Sequence, residues 1–188
     1  SDKALHVFDL SNPAKPVKIS SLSGLGSVRQ IVVSKDVACI TAREDGLFFV
    51  DVKDPAKPSL ISHYDTIEMA TGIAISDNLA FVACRTYGIE LIDITDLAKP
   101  AHVSTIRTGE AQSLTYRDGF LYAGVWATRE LVICNVKDAY KPEIVSVTKL
   151  DGYGDGVFVK DKLCYVATGH HAAAIKKNDE SDPAFGAG

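Results

Sequence analysis

The sequence has no excess of basic side chains. It contains 20 Lys and Arg against 24 Asp and Glu, a formal net charge of −4. Nucleic-acid-binding domains usually carry a basic surface, so no nucleic-acid partner is predicted. No apolar run approaches the ~20 residues that a membrane-spanning helix needs, so no membrane span is predicted in this chain. With 188 residues, of which 46% are hydrophobic and 23% charged, the composition is that of one or two folded domains.

Motifs for catalysis and for phosphate binding are also missing. The glycines at 152, 154 and 156 open no helix and precede no Lys-Ser/Thr pair. There is no Gly-x-Ser-x-Gly elbow and no His-Glu-x-x-His pair. No catalytic residue and no cofactor is therefore predicted.

The four cysteines fit no zinc site and no Cys-x-x-Cys pair, because Cys39, Cys84, Cys134 and Cys164 are separated by 45, 50 and 30 residues. Each lies in an apolar stretch, which predicts buried thiols. One or two disulfides are the alternative.

What the chain has instead is a repeat of 42 residues. Residues 8–16 (FDLSNPAKP) align with 50–58 (VDVKDPAKP), 92–100 (IDITDLAKP) and 134–142 (CNVKDAYKP), each at an offset of 42. A serine recurs at the same pitch, at positions 20, 62, 104 and 146. The repeat divides the chain into units 5–46, 47–88, 89–130 and 131–172, with 173–188 as a loop or the start of a further unit.

Each unit has the pattern of four short strands. Residues 47–52 are β-branched and aromatic and end at the Asp54-Pro55 turn. Further strands are predicted at 59–64, 72–76 and 79–84, and no segment has the apolar period of a helix. Strand 47–52 is apolar on both faces, so its sheet needs a neighbour on each side. Four-stranded antiparallel sheets stacked around an axis provide these neighbours, and we predict an all-β fold, a β-propeller.

Unit three is irregular. Leu114 lies one residue off the apolar register of Ile73, whereas Leu121 is back in register. We expect one residue to be lost before position 113 and one to be gained in the hairpin at 118–119. On that alignment Trp126 matches Cys84.

The repeated stretch resembles the LVIVD-repeat family of β-propellers. The resemblance rests on residues 47–58 (LFFVDVKDPAKP) and their three copies, and it extends to about Ile175. It implies a periplasmic, secreted or cell-surface location, because the family looks extracytoplasmic, and it implies no defined activity. The family pattern has Pro where this chain has Leu97 and Ala139, and Asp where it has Asn135. Those turns are expected to form less readily.

The ends of the repeat leave two arrangements open. The chain is expected to start with two outer strands, 5–10 and 17–22, and to end with two inner strands, 157–159 and 163–168. These pairs either complete one blade and close a four-bladed ring, or belong to different blades of a larger propeller of which this chain is a fragment. An incomplete ring exposes sheet faces, which favours self-association.

Strand direction assigns the connections to two sides of the stack. The constant side carries the Asp-Pro-Ala-Lys-Pro turns and the hairpins, which are similar in every unit. The variable side carries the links between units and the loops between the second and third strands of each sheet, and these differ in sequence from one unit to the next. Repeat proteins often bind where their repeats diverge. The candidate binding residues on the variable side are Arg29, Arg43, Arg85, Tyr87, Trp126, Arg129, Tyr153 and Asp155.

Most of these candidates also have a structural interpretation. Arg43 and Arg85 share one repeat position, and each is expected to pair with a local acid such as Glu44 or Asp45. Trp126 can fill space between blades, and the tyrosines can cover the core. Arg29 begins a predicted inner strand and is a candidate channel-lining anion contact.

His170 and His171 are the candidate metal ligands, because neutral imidazole commonly binds metal ions. Adjacent residues of an extended chain point to opposite sides, so a divalent metal requires a loop that brings both rings together. Asp155 is a candidate further ligand from across the variable side.

We predict a non-enzymatic, extracytoplasmic interaction module that presents one propeller face to a protein or glycan partner. One alternative is a catalytic or metal-dependent propeller with His170 and His171 near the axis, because propellers host many chemistries. The other is a structural spacer.

Overall fold

The computed structural model describes residues 3–169, and this range is built of β-strands. It contains 16 strands and no helix, which confirms the all-β prediction. Consequently, none of these residues forms a helix of the length and hydrophobicity needed to cross a lipid bilayer. The strands in chain order are β1 (Ala4–Asp9), β2 (Val17–Ser23), β3 (Gln30–Ser34), β4 (Val37–Thr41), β5 (Leu47–Asp51), β6 (Ser59–Tyr64), β7 (Ala70–Ser76), β8 (Leu79–Cys84), β9 (Gly88–Asp93), β10 (Ala101–Ile106), β11 (Ala111–Arg117), β12 (Phe120–Val125), β13 (Glu130–Asn135), β14 (Glu143–Lys149), β15 (Tyr153–Lys160) and β16 (Leu163–Gly169).

The strands form five antiparallel sheets in sequence order. Sheet 1 is β1–β2, sheet 2 is β3–β6, sheet 3 is β7–β10, sheet 4 is β11–β14 and sheet 5 is β15–β16. Sheets 2, 3 and 4 each have four strands, two from one 42-residue unit and two from the next. By repeat position, β1 and β2 correspond to the third and fourth strands of such a sheet, and β15 and β16 to the first and second. The two terminal sheets are therefore complementary halves of a four-stranded sheet.

Adjacent sheets pack face to face and share apolar cores. Strand β5 shows how the sequence produces this arrangement. Phe48 and Val50 lie in the core that includes Leu5 and Leu22 of sheet 1, whereas Leu47 and Phe49 lie in the core shared with sheet 3. These four side chains are buried, which confirms the prediction that this strand is covered on both faces.

The end faces of the stack are less covered. On β3, Ile31 and Val33 are exposed, because sheet 1 has only two strands to lay against sheet 2. On β15 and β16, Phe158 and Tyr165 are exposed.

A serine hydrogen bond joins successive sheets on the constant side. The Ser20 hydroxyl donates to the Pro55 carbonyl at 2.6 Å. The Ser104 hydroxyl donates to the Ala139 carbonyl at 2.6 Å, and Ser62 donates to Leu97 in the same way. In the first three units, the serine that recurs every 42 residues therefore binds the turn of the next unit.

The first strands of successive sheets are also joined by side chains. The Ile73 amide donates to Gln30 Oε1 at 3.0 Å, which links β7 to β3. The Thr71 hydroxyl donates to the Ala111 carbonyl at 3.2 Å, and the Thr115 hydroxyl donates to the Val157 carbonyl at 2.6 Å. These bonds hold β3, β7, β11 and β15 side by side.

Unit three regains its lost residue at a different place from the predicted one. Its hairpin has only two residues, because Arg117 lies opposite Phe120. Asp118 and Gly119 have φ values of 49° and 83°, as tight two-residue hairpins require, and a third residue does not fit that turn. The extra residue lies in loop 126–129 instead. Val125 rather than Trp126 therefore occupies the position of Cys84.

The turns that depart from the family pattern keep their geometry. The Lys99 amide donates to the Asp96 carbonyl at 2.9 Å and the Lys141 amide donates to the Asp138 carbonyl at 3.1 Å. The corresponding bond in the turn that contains Pro55 is 2.9 Å long. Proline at the second position is thus not needed for this turn to close.

Candidate functional site

The loops of the variable side reach across to the next sheet. Arg43 exchanges two backbone hydrogen bonds with Ala70 at the start of β7, with lengths of 2.9 and 3.0 Å. Arg85 forms the equivalent bridge to Ala111 at the start of β11. Each loop is thus anchored to the neighbouring unit, which brings links and loops together on one side as the strand directions predict.

Glycine shapes both arginine loops. Gly46 and Gly88 occupy one repeat position and have φ values of 73° and 99°. A Cβ atom there would lie 2.4 Å from the Tyr64 carbonyl oxygen and 2.2 Å from that of Ile106. The loop therefore closes against the fourth strand of its own sheet only because these positions lack a side chain.

The arginines themselves are in a left-handed backbone conformation. Arg43 has a φ of 52° and Arg85 a φ of 38°. That conformation costs a residue with a Cβ atom about 1–2 kcal/mol, and glycine or asparagine adopts it more readily. The same conformation occurs at Lys35, Asp77 and Asp161 in the hairpin turns of the constant side, so it belongs to tight loop geometry and does not by itself mark a functional side chain.

Arg29, Arg43 and Arg85 come together in one depression on the variable side, which we call the arginine pocket. Arg29 is placed by its amide, which donates to the Thr41 carbonyl at 2.7 Å where β4 ends. Besides the three arginines, the pocket has four lining residues: Met69, Thr71, Glu110 and Gln112.

The arginine pocket differs from the expected pattern of ion pairs. Arg85 pairs with Glu110 of the next link, with Nε 3.5 Å from Oε1. Arg43 pairs with neither Glu44 nor Asp45 in the described structure. The Asp45 carboxylate accepts the Ser27 amide instead, at 2.8 Å.

The Arg85 loop is supported by Glu68 from the preceding link. The Glu68 carboxylate accepts hydrogen bonds from the Thr86 amide at 2.9 Å and from the Thr86 hydroxyl at 2.8 Å. The Tyr87 amide also donates to it, at 3.3 Å. These bonds fix the loop from which the Arg85 side chain projects.

The link that carries Glu68 is anchored by a buried carboxylate. Glu90 is fully buried in β9. It accepts hydrogen bonds from the Ile67 amide at 3.0 Å and from the Tyr64 hydroxyl at 2.8 Å. His102 Nδ1 lies 3.0 Å from it. Burial and the hydrogen bond to Glu90 raise the pKa of Tyr64 above its ordinary value of 10.0, so this hydroxyl keeps its proton and remains a donor.

An aromatic cluster lies beside the arginine pocket. The Trp126 and Tyr153 rings are stacked with centroids 4.4 Å apart, and the Arg129 guanidinium lies 4.9 Å from the Tyr153 ring centre. The Trp126 amide donates to the Glu110 carbonyl at 2.8 Å, which joins the cluster to the pocket. Tyr153 is buried and Trp126 is half-buried, so the cluster packs links and loops together.

The other candidates lie apart from one another. Tyr87 is exposed and stacks with Arg107, whose guanidinium carbon is 5.0 Å from the ring centre. Asp155 is exposed where the β15–β16 register shifts. His170 and His171 lie outside the described residues. Within residues 3–169, no group of three His, Cys, Asp or Glu side chains is placed to hold a metal ion.

The cysteines are unpaired thiols. Cys39, Cys84 and Cys134 are buried and Cys164 is half-buried, which confirms the prediction for three of the four and excludes the disulfide alternative in this structure. Burial raises the pKa of Cys39 to about 12 and that of Cys134 to about 11. Thiols with such values are protonated near neutral pH and are poor nucleophiles.

Three carboxylates of the site, Glu68, Glu90 and Glu110, were not among the sequence candidates. Glu90 had a detectable signal, because it interrupts an apolar strand at the repeat position of Phe48 and Val132. Glu68 and Glu110 lie in links of variable sequence, and only the neighbouring loop shows what they bind.

Comparisons with known proteins bear on the repeat and on the fold. The family model described as "LVIVD repeat" matches residues 1–23, 25–66 and 68–108, more than half of the chain. No curated protein matches the sequence. The computationally designed protein Ika8 has a similar structure, with a TM-score of 0.68 and 10% identity over 89% of this chain and 50% of Ika8. The designed protein Ika4 gives a TM-score of 0.62 and 10% identity over 78% of this chain and 88% of Ika4. The chain spans half the length of Ika8, and at this identity the likeness is one of fold alone.

Proposed function

The chain belongs to the LVIVD-repeat family, and from that premise we propose that it is a non-enzymatic, extracytoplasmic interaction module that binds a protein or glycan partner through its variable side. The arginine pocket carries this proposal. Three arginines, from one link and two loops, line it. Arginine is enriched at binding hot spots, and within residues 3–169 Arg29 and Arg43 have no acidic partner.

We further propose that the sheets are blades of a β-propeller. The first strands β3, β7, β11 and β15 are joined side by side, as inner strands around an axis would be. The extracytoplasmic location rests on the family relationship, and cell fractionation with an antibody tests it.

An array experiment tests the proposed function. The protein is applied to a glycan array and to a peptide array, together with the triple variant R29Q/R43Q/R85Q. A matched control, K57Q/K99Q/K141Q, removes the same three charges from the turns of the constant side. We expect a ligand that the wild type and the lysine variant bind and the arginine variant does not. Equal binding by all three proteins, or no ligand on either array, would contradict the proposal.

A further inference from the structure

The arginine pocket carries uncompensated positive charge. Its lining residues include three arginines and a single acidic residue, Glu110, in a chain whose formal net charge is −4. A guanidinium is protonated at every physiological pH. The pocket is therefore a local positive site on a protein that is acidic as a whole, and it attracts anions.

Two of the three guanidinium groups have no acidic partner. Within residues 3–169, neither Arg29 nor Arg43 has a carboxylate at ion-pair distance. Arg117, on the constant side, shows the contrast, because it lies 3.2 Å from the Asp118 carboxylate and 3.8 Å from that of Asp161. Arg29 and Arg43 thus keep their donors available for an external group.

The pocket is held by the fold at several points. The Thr71 hydroxyl, one of its lining groups, lies 3.1 Å from the Ala83 carbonyl oxygen and 3.2 Å from that of Ala111, so its single proton is shared between strands on either side of β7. The Arg43 backbone is bonded to Ala70 in both directions. The backbone of the pocket is thus held in place, and the ordering cost of binding falls on the exposed arginine side chains.

We propose that the arginine pocket binds a carboxylate group of the partner, with Arg29 and Arg43 as its direct contacts. A carboxylate has two oxygens in one plane, which the planar donor set of arginine matches. Glu110 shows that a carboxylate is accepted here, since its own oxygen lies 3.5 Å from Arg85 Nε. This inference rests on the proposed function and adds the chemistry of the group recognised. A sugar acid and an acidic side chain are two sources of that group.

Glu110 acts as an internal competitor in this arrangement. Its carboxylate neutralises Arg85 and repels a second carboxylate in the same pocket. Removing its charge should therefore strengthen binding, whereas removing a guanidinium should weaken it. Opposite effects of two substitutions in one pocket separate a carboxylate site from a general loss of structure.

The test titrates the whole chain, observed by nuclear magnetic resonance, with two pairs of small ligands and with inorganic phosphate and sulfate. D-glucuronate is compared with D-glucose, and N-acetyl-aspartate amide with N-acetyl-asparagine amide. We expect the carboxylate member of at least one pair to shift the amide signals around Arg43, and the neutral member to shift none. The pair that responds identifies the source. R29Q and R43Q should each weaken binding about three- to tenfold and E110Q should strengthen it by a similar factor, the effect of one charge-assisted contact at a partly exposed site. K99Q, on the constant side, is the matched control.

Three results would overturn the inference: equal shifts from neutral and charged ligands, weaker binding by E110Q, or binding of inorganic phosphate or sulfate without binding of either carboxylate. None of them would by itself contradict the proposed function. An array ligand that is lost in R29Q/R43Q/R85Q would still support the variable side as the binding surface while showing that the pocket recognises another group.

Discussion

Replacing Glu90 with alanine should destabilise the protein by about 3–5 kcal/mol. The substitution removes the acceptor of the Ile67 amide and of the Tyr64 hydroxyl, with bonds of 3.0 and 2.8 Å. Hydrogen bonds to a charged group contribute about 1.5–3 kcal/mol each. His102 adds little to this sum because its side chain is 46% exposed and can turn to water. The loss of the charged acceptor of these two partly buried hydrogen bonds therefore accounts for the expected cost.

Urea unfolding followed by circular dichroism measures this effect, because the free energy of unfolding falls linearly with denaturant. Glu90→Gln keeps the shape and one acceptor oxygen, and we expect it to cost about 1–2 kcal/mol. Glu143→Ala makes the same chemical change on an exposed position of β14 and should stay within about 0.5 kcal/mol of the wild type. A Glu90→Ala protein within about 1 kcal/mol of the wild type would refute the assigned role of this carboxylate.

Three further predictions follow from single contacts. Arg43→Gly should raise the free energy of unfolding by about 0.5–1 kcal/mol, because glycine relieves the left-handed strain at this position. Lys35→Gly, at a φ of 54°, should have the same effect on stability, but only Arg43→Gly should weaken carboxylate binding. A lower melting temperature of either variant would contradict the expected relief of strain. Ser62→Ala should cost about 1 kcal/mol in urea unfolding, because it removes the bond to the Leu97 carbonyl, and a neutral effect would show that this bond does not stabilise the packing of sheets. At pH 8 a thiol reagent should label the half-buried Cys164 first, and the buried Cys39, Cys84 and Cys134 only in denaturant. Rapid labelling of those three in the native protein would contradict their burial.

The strands and their pitch were predictable because their signals are local. Two-sided apolar character in 47–52 and the Asp54-Pro55 turn depend on residues close in sequence, and the structure has both the strand and the turn. The position of the extra residue in unit three was not predictable in this way. An inserted residue fits either the hairpin or the following loop by apolar register, and only the backbone conformation of Asp118 and Gly119 decides between them.

The site was predictable as a location and not as a set of partners. Strand direction is enough to bring Arg29, Arg43 and Arg85 to the same side. Which acid meets which arginine depends on how one unit is placed against the next, so Glu110 rather than a local acid pairs with Arg85. The burial of the Glu90 carboxylate in an apolar strand is likewise explained only by contacts from other strands, since Tyr64 belongs to sheet 2 and His102 to β10.

The most direct test of the central claim observes the arginine side chains themselves. Nitrogen-15 labelling of arginine allows each Nε–Hε signal to be followed as the responding carboxylate is added. We predict saturable shifts for Arg29 and Arg43 and none for Arg117, which is already paired on the constant side. Unchanged signals from Arg29 and Arg43, or an equal shift of Arg117, would contradict the claim that the variable side recognises its partner through this pocket.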